Sequence, residues 1–371
     1  MRNILDSLHV FLGGIPFRWL FLLVFSFLLA FFLTLIFRRI ATKLKILDHP
    51  EERKIHAHPI PLLGGLAIYV SYVVTIFLNF SFSDELKGVI LGGTVIIIVG
   101  LIDDVKELSA TWKLVAQILA TGILIFYGVR LSFLPNNWWG IGGEILLTLI
   151  WVVGITNAVN FFDGMDGLAT GSIAICSMSF FVVALLTQQV YLGYLTIALA
   201  GSCLAFLIYN FKPASIFLGD AGSTFLGFTV AGIAVMGGWA EGNPKVALSL
   251  PLLILSVFIF DMVYISISRI YRGRVKNLRQ WIEYTGKDHL HHRLVALGLS
   301  EPQAVLFIYL IAACLGIGGI NLRAAGDIVI YLEILQGLII FAIIVILILQ
   351  GLIIFAIIVI LMRTGRKLAK K

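Results

Sequence analysis

The sequence predicts an all-α membrane protein: a polytopic transmembrane helical bundle of about 11 spans, forming a single integral-membrane domain over residues 1–371. Three observations predict it. The 371 residues are 60% hydrophobic and 13% charged, with a mean hydropathy of +1.03, and a soluble domain carries about twice that share of charge. The apolar residues fall in runs of roughly 18 to 25, long enough to cross a bilayer as helix. Those runs show no polar–apolar alternation, which excludes a barrel, the one other architecture that satisfies its backbone polar groups in lipid.

Taken in order, the spans are expected at about 17–37, 62–80, 88–102, 112–129, 144–161, 169–187, 190–209, 216–238, 246–268, 303–321 and 328–362. The first opens near Phe17. No small-residue cleavage site follows it, so it reads as a retained helix rather than a removed signal peptide. The third is short unless it continues toward Asp103. The last carries ILQGLIIFAIIVIL twice in succession, at 334–347 and 348–361. Each copy is close to four helical turns, so the second nearly keeps the helix face of the first. The doubled run measures about 42 Å against a hydrocarbon core of about 30 Å, so it tilts or overhangs. It is too short for two spans with a turn between them and reads as a duplication without catalytic meaning.

Orientation follows from the basic residues. All Lys and Arg except Arg2, Arg18, Lys87, Arg130, Lys245 and Arg323 fall on one side of the predicted spans. The positive-inside rule makes that side cytoplasmic, with the N-terminus outside and the C-terminus inside. The net charge of +7 and pI near 9.3 are then a product of topology, and no nucleic acid is expected as a partner. Cys176, Cys203 and Cys314 lie in apolar runs without CxxC spacing and read as small hydrophobes.

This threading delivers the chemistry-bearing residues to one face. Asp103-Asp104 ends span 3, Asp163 and Asp166 follow span 5, Asp220 precedes span 8, and His289, His291 and His292 follow span 9. Acids of the outer loops, such as Asp84, Glu85 and Glu241, are scattered by comparison. Asn157, Asn160, Asp163 and Asp166 recur every three residues, which on a helix makes a slowly drifting polar stripe. A charge at the bilayer centre costs about 2.5–3.5 kcal/mol, so the stripe faces a wet cavity, a cation or other protein. A plain Asp-Gly turn with a capping carboxylate is the competing reading.

Phe217-Leu-Gly219-Asp220-Ala-Gly222-Ser223 opens span 8. Its glycines let backbone approach a phosphate, and the helix start offers unpaired N–H groups. Carboxylates alone repel a pyrophosphate, whereas carboxylates with Mg²⁺ bind it, because magnesium takes a few carboxylates plus substrate oxygens. Asp288-His289-Leu290-His291-His292-Arg293 lies in a basic loop, where imidazole and guanidinium suit phosphate. A zinc site there lacks a spaced Cys or His partner, and a merely solvated loop is the other alternative. The first basic loop, from Asp48 through Arg53 and Lys54 to His56, reads equally as topogenic charge.

Together these segments resemble the polyprenyl-phosphate N-acetylhexosamine-1-phosphate transferase family. Its motifs occur in order as DHPEERKIHAHPIPLLGG (48–65), DDVKELSATWKLVAQ (103–117), NAVNFFDGMDGLATG (157–171), NFKPASIFLGDAGS (210–223) and HLHHRL (289–294). The His-x-His-His-Arg form is similar to the bacterial UDP-GlcNAc:undecaprenyl-phosphate branch (WecA/TagO type). The MurNAc-pentapeptide branch usually has three consecutive histidines there.

The resemblance implies transfer of GlcNAc-1-phosphate from UDP-GlcNAc to undecaprenyl phosphate, giving undecaprenyl-pyrophosphate-GlcNAc and UMP. It implies a bacterial cytoplasmic-membrane enzyme with its site on the cytoplasmic face, Mg²⁺ (or Mn²⁺) as cofactor and a homodimer as assembly. It also implies roles. Asp220 is the foremost metal ligand, with Asp163 and Asp104 beside it, and Phe217 stacks on uracil. Asn157, Asn160, Asp163 and Asp166 line the nucleotide pocket. Asp103, Asp104 and Lys113 lie toward the lipid phosphate. His289, His291, His292 and Arg293 grip the sugar-side phosphate, and Asp48, Arg53 and Lys54 complete the substrate-binding set. Asp261, an acid within span 9, matches a family position without a role to assign.

The nearer alternative is the same chemistry on UDP-MurNAc-pentapeptide or UDP-GalNAc; the remote one is a secondary transporter, which expects midplane acids and repeated halves. A lipid phosphomonoester with a second pKa near ~6 is largely dianionic at neutral pH. Asp103 is therefore expected to position groups rather than to serve as an obligatory base.

Overall fold

In the computed structural model, the described residues are 15–50, 58–78, 83–239, 243–275, 280, 286, 288–323 and 327–368. They form α1 (Ile15–Leu44), α2 (Gly64–Phe77), α3 (Asp84–Lys106), α4 (Ala110–Phe126), α5 (Trp138–Phe162), α6 (Leu168–Leu186) and α7 (Val190–Asn210). There follow α8 (Gly219–Met236), α9 (Pro244–Ile254), α10 (Ser256–Tyr271), α11 (Leu290–Ala296), α12 (Glu301–Leu322) and α13 (Asp327–Leu368). Between α1 and α2, β1 (Leu47–Asp48) pairs antiparallel with β2 (Ile60–Pro61).

Among the described residues, eight helices are long and apolar enough to cross a membrane, and the bent pair α9–α10 makes a ninth candidate. α2 and α4 are shorter apolar helices. Each of these segments lies on one of the predicted runs, so the chain is an all-α, multi-pass membrane protein.

Local chemistry sets several helix starts. The Ser83 hydroxyl accepts the Leu86 N–H at the head of α3, with Asp84 and Glu85 in the first turn, where acids favour the positive helix end. Asn137 caps α5 and Asn243 caps α9, the latter followed by Pro244 at the first helical position, where its missing N–H costs nothing. Ser300 and Gln303 form a reciprocal capping box on α12, satisfying two otherwise orphaned donors.

The middle of the bundle is α8, which packs against α2, α3, α5, α6 and α7 and is buried continuously from Ala221 to Ala234. Small residues allow this enclosure. A Cβ on Gly65 of α2 would lie 2.2 Å from the Gly222 Cα of α8, and one on Gly100 of α3 would lie 2.3 Å from the Ala221 Cα. Such backbone approach is how helices associate where lipid removes the hydrophobic drive between them.

Two elements differ from the sequence reading. The predicted span 246–268 is not one helix: α9 and α10 meet at 75°. The bend falls at Leu255 (φ −93, ψ 5), one turn after Pro251, which stands inside α9 and cannot donate to the helix ladder. The third span begins at Asp84 and runs to Lys106, longer at both ends than 88–102, and its continuation past Asp103 puts Asp103 and Asp104 in its last turn. The duplicated segment lies in one unbroken helix, α13, which packs inward through Ile330, Phe341, Ile344 and Ile348.

Candidate active site

The end of α3, the start of α4, the end of α5 and the start of α8 meet at one end of the bundle, and charged residues make the joints. Asp103 is buried; one oxygen accepts the Leu108 N–H at 2.6 Å, closing the turn after α3, and the other pairs with the Lys113 ammonium. Lys113, in the first turn of α4, also lies 2.6 Å from Asp220 Oδ2. Asn160, near the end of α5, donates to Asp220 Oδ1 (3.1 Å) and to the Ser223 hydroxyl (2.8 Å).

Asp104 caps α8. Its Oδ1 accepts the Asp220 N–H at 2.8 Å and its Oδ2 the Ala221 N–H at 3.4 Å. The N–H groups expected to stand unpaired at this helix start are therefore taken in part by a carboxylate. Gly219 makes the contact feasible, since it has φ +74 and a Cβ there would lie 2.6 Å from Asp104 Oδ2. Both features favour glycine.

The predicted polar stripe divides. Asn157 forms a two-way amide pair with Gln117 of α4 (2.6 and 3.2 Å), whereas Asn160 faces Asp220. The helix stops at Phe162, and Asp163 is its C-terminal cap with non-helical angles (φ −77, ψ 54). Asp166 is carried into the turn beyond, where Oδ2 accepts the Ala214 N–H at 3.0 Å and lies 3.7 Å from Lys212. Lys212 in turn pairs with Glu301 at 2.6 Å. Asp166 thus ties the α5–α6 turn to the α7–α8 loop. Asn210 does the same, accepting from Gly167 N–H and the Thr170 hydroxyl while donating to the Ile216 carbonyl.

Asp163 is the unsatisfied acid. Among the described residues no donor hydrogen-bonds its carboxylate. Burial, together with the charges of Asp220, Asp166 and Asp104, pushes it up to about 8. Desolvation and like charge both disfavour the ionised form.

Phe217 is held by its backbone. Its N–H donates to the Pro61 carbonyl (2.8 Å), and its carbonyl accepts the Gly64 N–H (3.1 Å), fastening the loop after α1 to the entry of α8. The ring is half-buried. Asp48 sits in β1 opposite Ile60; Arg53 and Lys54 lie outside the described residues.

The histidine segment packs beside the α5–α6 turn. His291 is fully buried, and neither ring nitrogen has a partner among the described residues. A Cβ on Gly164, next to Asp163, would lie 2.4 Å from its Nε2. Burial and the neighbouring His292 and His289 hold His291 well below the usual imidazole value, so the ring is neutral. His292 lies 4.3 Å from it, centroid to centroid. His289 Nδ1 is 2.7 Å from Asp261 Oδ2. Arg293 donates to the Asp288 carbonyl and lies over the Tyr264 ring. Beside Asp103, Lys113, Gln117, Asp220 and Thr224, an open cleft of about 280 Å³ runs along Ile96, Val99 and Ala116.

Comparison with known proteins decides the family. The family model described as Glycosyl transferase family 4 matches residues 86–238. A probable undecaprenyl-phosphate N-acetylglucosaminyl 1-phosphate transferase of Bacillus subtilis is 35% identical over 308 residues, covering 81% of this chain and 84% of the relative. The decaprenyl-phosphate N-acetylglucosaminephosphotransferase of Mycobacterium leprae is 35% identical over 333 residues (80% and 82%). The chain belongs to the polyprenyl-phosphate N-acetylhexosamine-1-phosphate transferase family. A more partial likeness within it is the phospho-N-acetylmuramoyl-pentapeptide-transferase of Desulforudis audaxviator, 34% identical over 209 residues, 54% of this chain and 55% of that one.

The transferase's carboxylates can be tested for fit to a divalent cation. Asp104 and Asp163 lie within charge range of Asp220, and among the described residues the ammonium paired to this group is Lys113, on Asp103 and Asp220, so the cluster is short of positive charge. Its donors are hard oxygens, which suit magnesium. Among the described residues no three acid, His or Cys side chains stand close enough to close on a metal together. That is compatible with an ion bound by one or two carboxylates and completed by water and substrate oxygens. The residues fit such an ion.

Sequence reasoning gave no role to Gln117, Asn210, Lys212, Glu301 or the Arg269–Asp288 pair. Gln117 and Asn210 lie within quoted motifs, and a polar amide in an apolar helix was a signal available to find them. Arg269, one residue past the expected span 246–268, is buried on α10, with two hydrogen bonds to Asp288 (2.7 and 2.9 Å).

Proposed function

We propose that this transferase moves GlcNAc-1-phosphate from UDP-GlcNAc to undecaprenyl phosphate, releasing UMP, at the cytoplasmic face of the bacterial inner membrane and with Mg²⁺. The observation that carries the reading is the junction of Asp104, Lys113, Asn160 and Asp220, from four helices, beside the turn bearing Asp163. The choice of sugar rests on coverage. The relatives named for N-acetylglucosamine run over about four-fifths of the chain, the one named for the muramoyl-pentapeptide over 54%.

In this reading a lipid-phosphate oxygen attacks the sugar-bearing phosphorus of UDP-GlcNAc. A new P–O bond forms, the bond to the bridging oxygen breaks, and UMP leaves with that oxygen. The attacking group is already largely dianionic at neutral pH, so the task is to bring anions together. Asp220 and Asp163, with Asp104 behind them, would hold Mg²⁺, which when bound supplies positive charge against the pyrophosphate. Lys113 brings a second cation, held by Asp103 and Asp220. Both Asp103 oxygens are engaged, which suits positioning Lys113 better than taking a proton. Asn160 orients Asp220. The Phe217 ring, with its backbone clamped, is offered to the uracil, and the His289–Arg293 segment to the sugar-side phosphate.

Incubating purified protein with radiolabelled UDP-GlcNAc, undecaprenyl phosphate and Mg²⁺ should move label into the organic phase, and more than UDP-GalNAc or UDP-MurNAc-pentapeptide does. No lipid-linked label from any donor would sink the reading.

A further inference from the structure

α10 leaves α9 at 75° and buries a stripe of Asp261, Ile265 and Arg269, spaced i, i+4 and i+8. Two of those three are charged, which in so apolar an element demands partners and marks a functional candidate. Arg269 spends its charge on Asp288. Asp261, 1% exposed, spends both oxygens on consecutive residues: Oδ2 lies 2.7 Å from His289 Nδ1, and Oδ1 accepts the Leu290 N–H at 2.7 Å. One bond fixes the backbone where α11 begins; the other fixes a ring. A carboxylate at Nδ1 keeps the proton there and sets the tautomer, leaving Nε2 as the ring's remaining polar atom. That nitrogen has no partner among the described residues. The ring stacks on His291 at 5.5 Å and lies 6.5 Å from Phe161, on the helix that carries Asn160.

The geometry points to Asp261 as a positioning residue for sugar-phosphate transfer, acting through His289: it orients the ring and holds the Nδ1 proton so that Nε2 faces the donor's phosphate oxygens. With the ring protonated, Nε2–H donates to a phosphate oxygen while the Asp261 carboxylate balances the imidazolium. This rests on the reading that His289 meets the donor. It separates two acids at the histidine segment, since Asp288 is held by Arg269 and supports the fold, whereas Asp261 touches a ring whose Nε2 has no partner among the described residues.

A double-mutant cycle on the full-length protein in detergent tests it, with the label-transfer assay and thermal unfolding read together. Asp261→Asn keeps an oxygen for Leu290 N–H but turns an amide toward Nδ1, which reverses the tautomer; in a serine-protease triad the same exchange is severely damaging although geometry is kept. The expected loss in kcat is about 10- to 100-fold, the range typical of residues that orient a functional histidine. KM for the UDP-sugar should stay within about threefold and the unfolding midpoint should be nearly unchanged. In a His289→Ala background the same substitution should change kcat by less than about twofold, because coupled residues are not additive. Asp261→Glu, which restores the carboxylate, should recover part of the rate. Equal losses in both backgrounds would overturn the inference, as would a midpoint that falls in step with activity, or Asn and Glu variants that both fail to fold. A wild-type protein inactive with every UDP-sugar would overturn the transferase reading itself; an active wild type matched by Asp261→Asn overturns only the role of Asp261.

Discussion

Asp163 and Asp220 sit within the same junction, yet their surroundings differ. Asp220 has an ammonium and an amide on its oxygens, and the charges acting on Asp163 among the described residues are those of acids. With its value pushed up to about 8, Asp163 keeps its proton at neutral pH until a cation displaces it. Divalent-ion affinity should therefore rise with pH up to about 8 and then flatten, with a proton released on binding below that point. Calorimetric titration of Mg²⁺ at several pH values, in buffers of different ionisation enthalpy, reads both effects; affinity independent of pH would remove Asp163 from the ion's neighbours. Asp103 carries the opposite expectation. Since it positions Lys113, Asp103→Asn should lower turnover by a similar factor at pH 5.5 and pH 8. Near-normal turnover at pH 8 with a deficit only at pH 5.5 would restore it as a base. At this scale the sequence was readable where spacing carried the information. The three-residue period brought Asn160 to Asp220, but it could not tell that Asn157 would turn to Gln117 or that the helix would end before Asp163, because both depend on which neighbour arrives.

Helices were the most legible level, since each span follows from a run of apolar residues long enough for the bilayer. The α9–α10 bend was not legible as a break: Pro251 alone does not say whether a helix kinks or ends. Beyond that bend, α10 supports the histidine segment through Asp261 and Arg269. The Arg269–Asp288 pair holds the Asp288 carboxyl below its ordinary value against the cost of burial. Its stabilisation is fully present above the ordinary carboxylate value and fades only as pH falls below it. Arg269→Ala leaves a buried carboxylate unpaired, which costs about 3–5 kcal/mol. The unfolding midpoint in detergent should fall sharply at pH 7, and a second substitution, Asp288→Ala, should return part of the loss. An Arg269→Ala protein as stable as wild type would mean that the pair is not buried. Close packing gives a second test at this scale. Gly65→Ala must part α2 from α8, because its Cβ would meet Gly222 backbone at 2.2 Å; expression and midpoint should both drop, whereas Gly142→Ala, with open space at its Cβ, should be silent.

For the whole molecule, the chain's order of crossing decides which residues can meet. Acids more than a hundred positions apart, such as Asp104 and Asp220, share a site because α3 ends where α8 begins. α13 packs chiefly against α12 and α9, and its described inward side chains are Ile330, Phe341, Ile344 and Ile348. Deleting 348–361 leaves about 28 residues of α13, still long enough to cross a bilayer, so transfer should persist within about twofold; loss of activity with folding intact would give the second copy a role. The central claim, that these carboxylates form one cation-assisted phosphate site, is tested most directly by the Mg²⁺ dependence of UMP release in wild type and Asp220→Asn. The account predicts saturable Mg²⁺ activation in the wild type and turnover reduced at least about 100-fold in the variant, in line with the loss of a group that stabilises transition-state charge. Turnover that ignores Mg²⁺, or an Asp220→Asn enzyme with the wild-type titration curve, would contradict it.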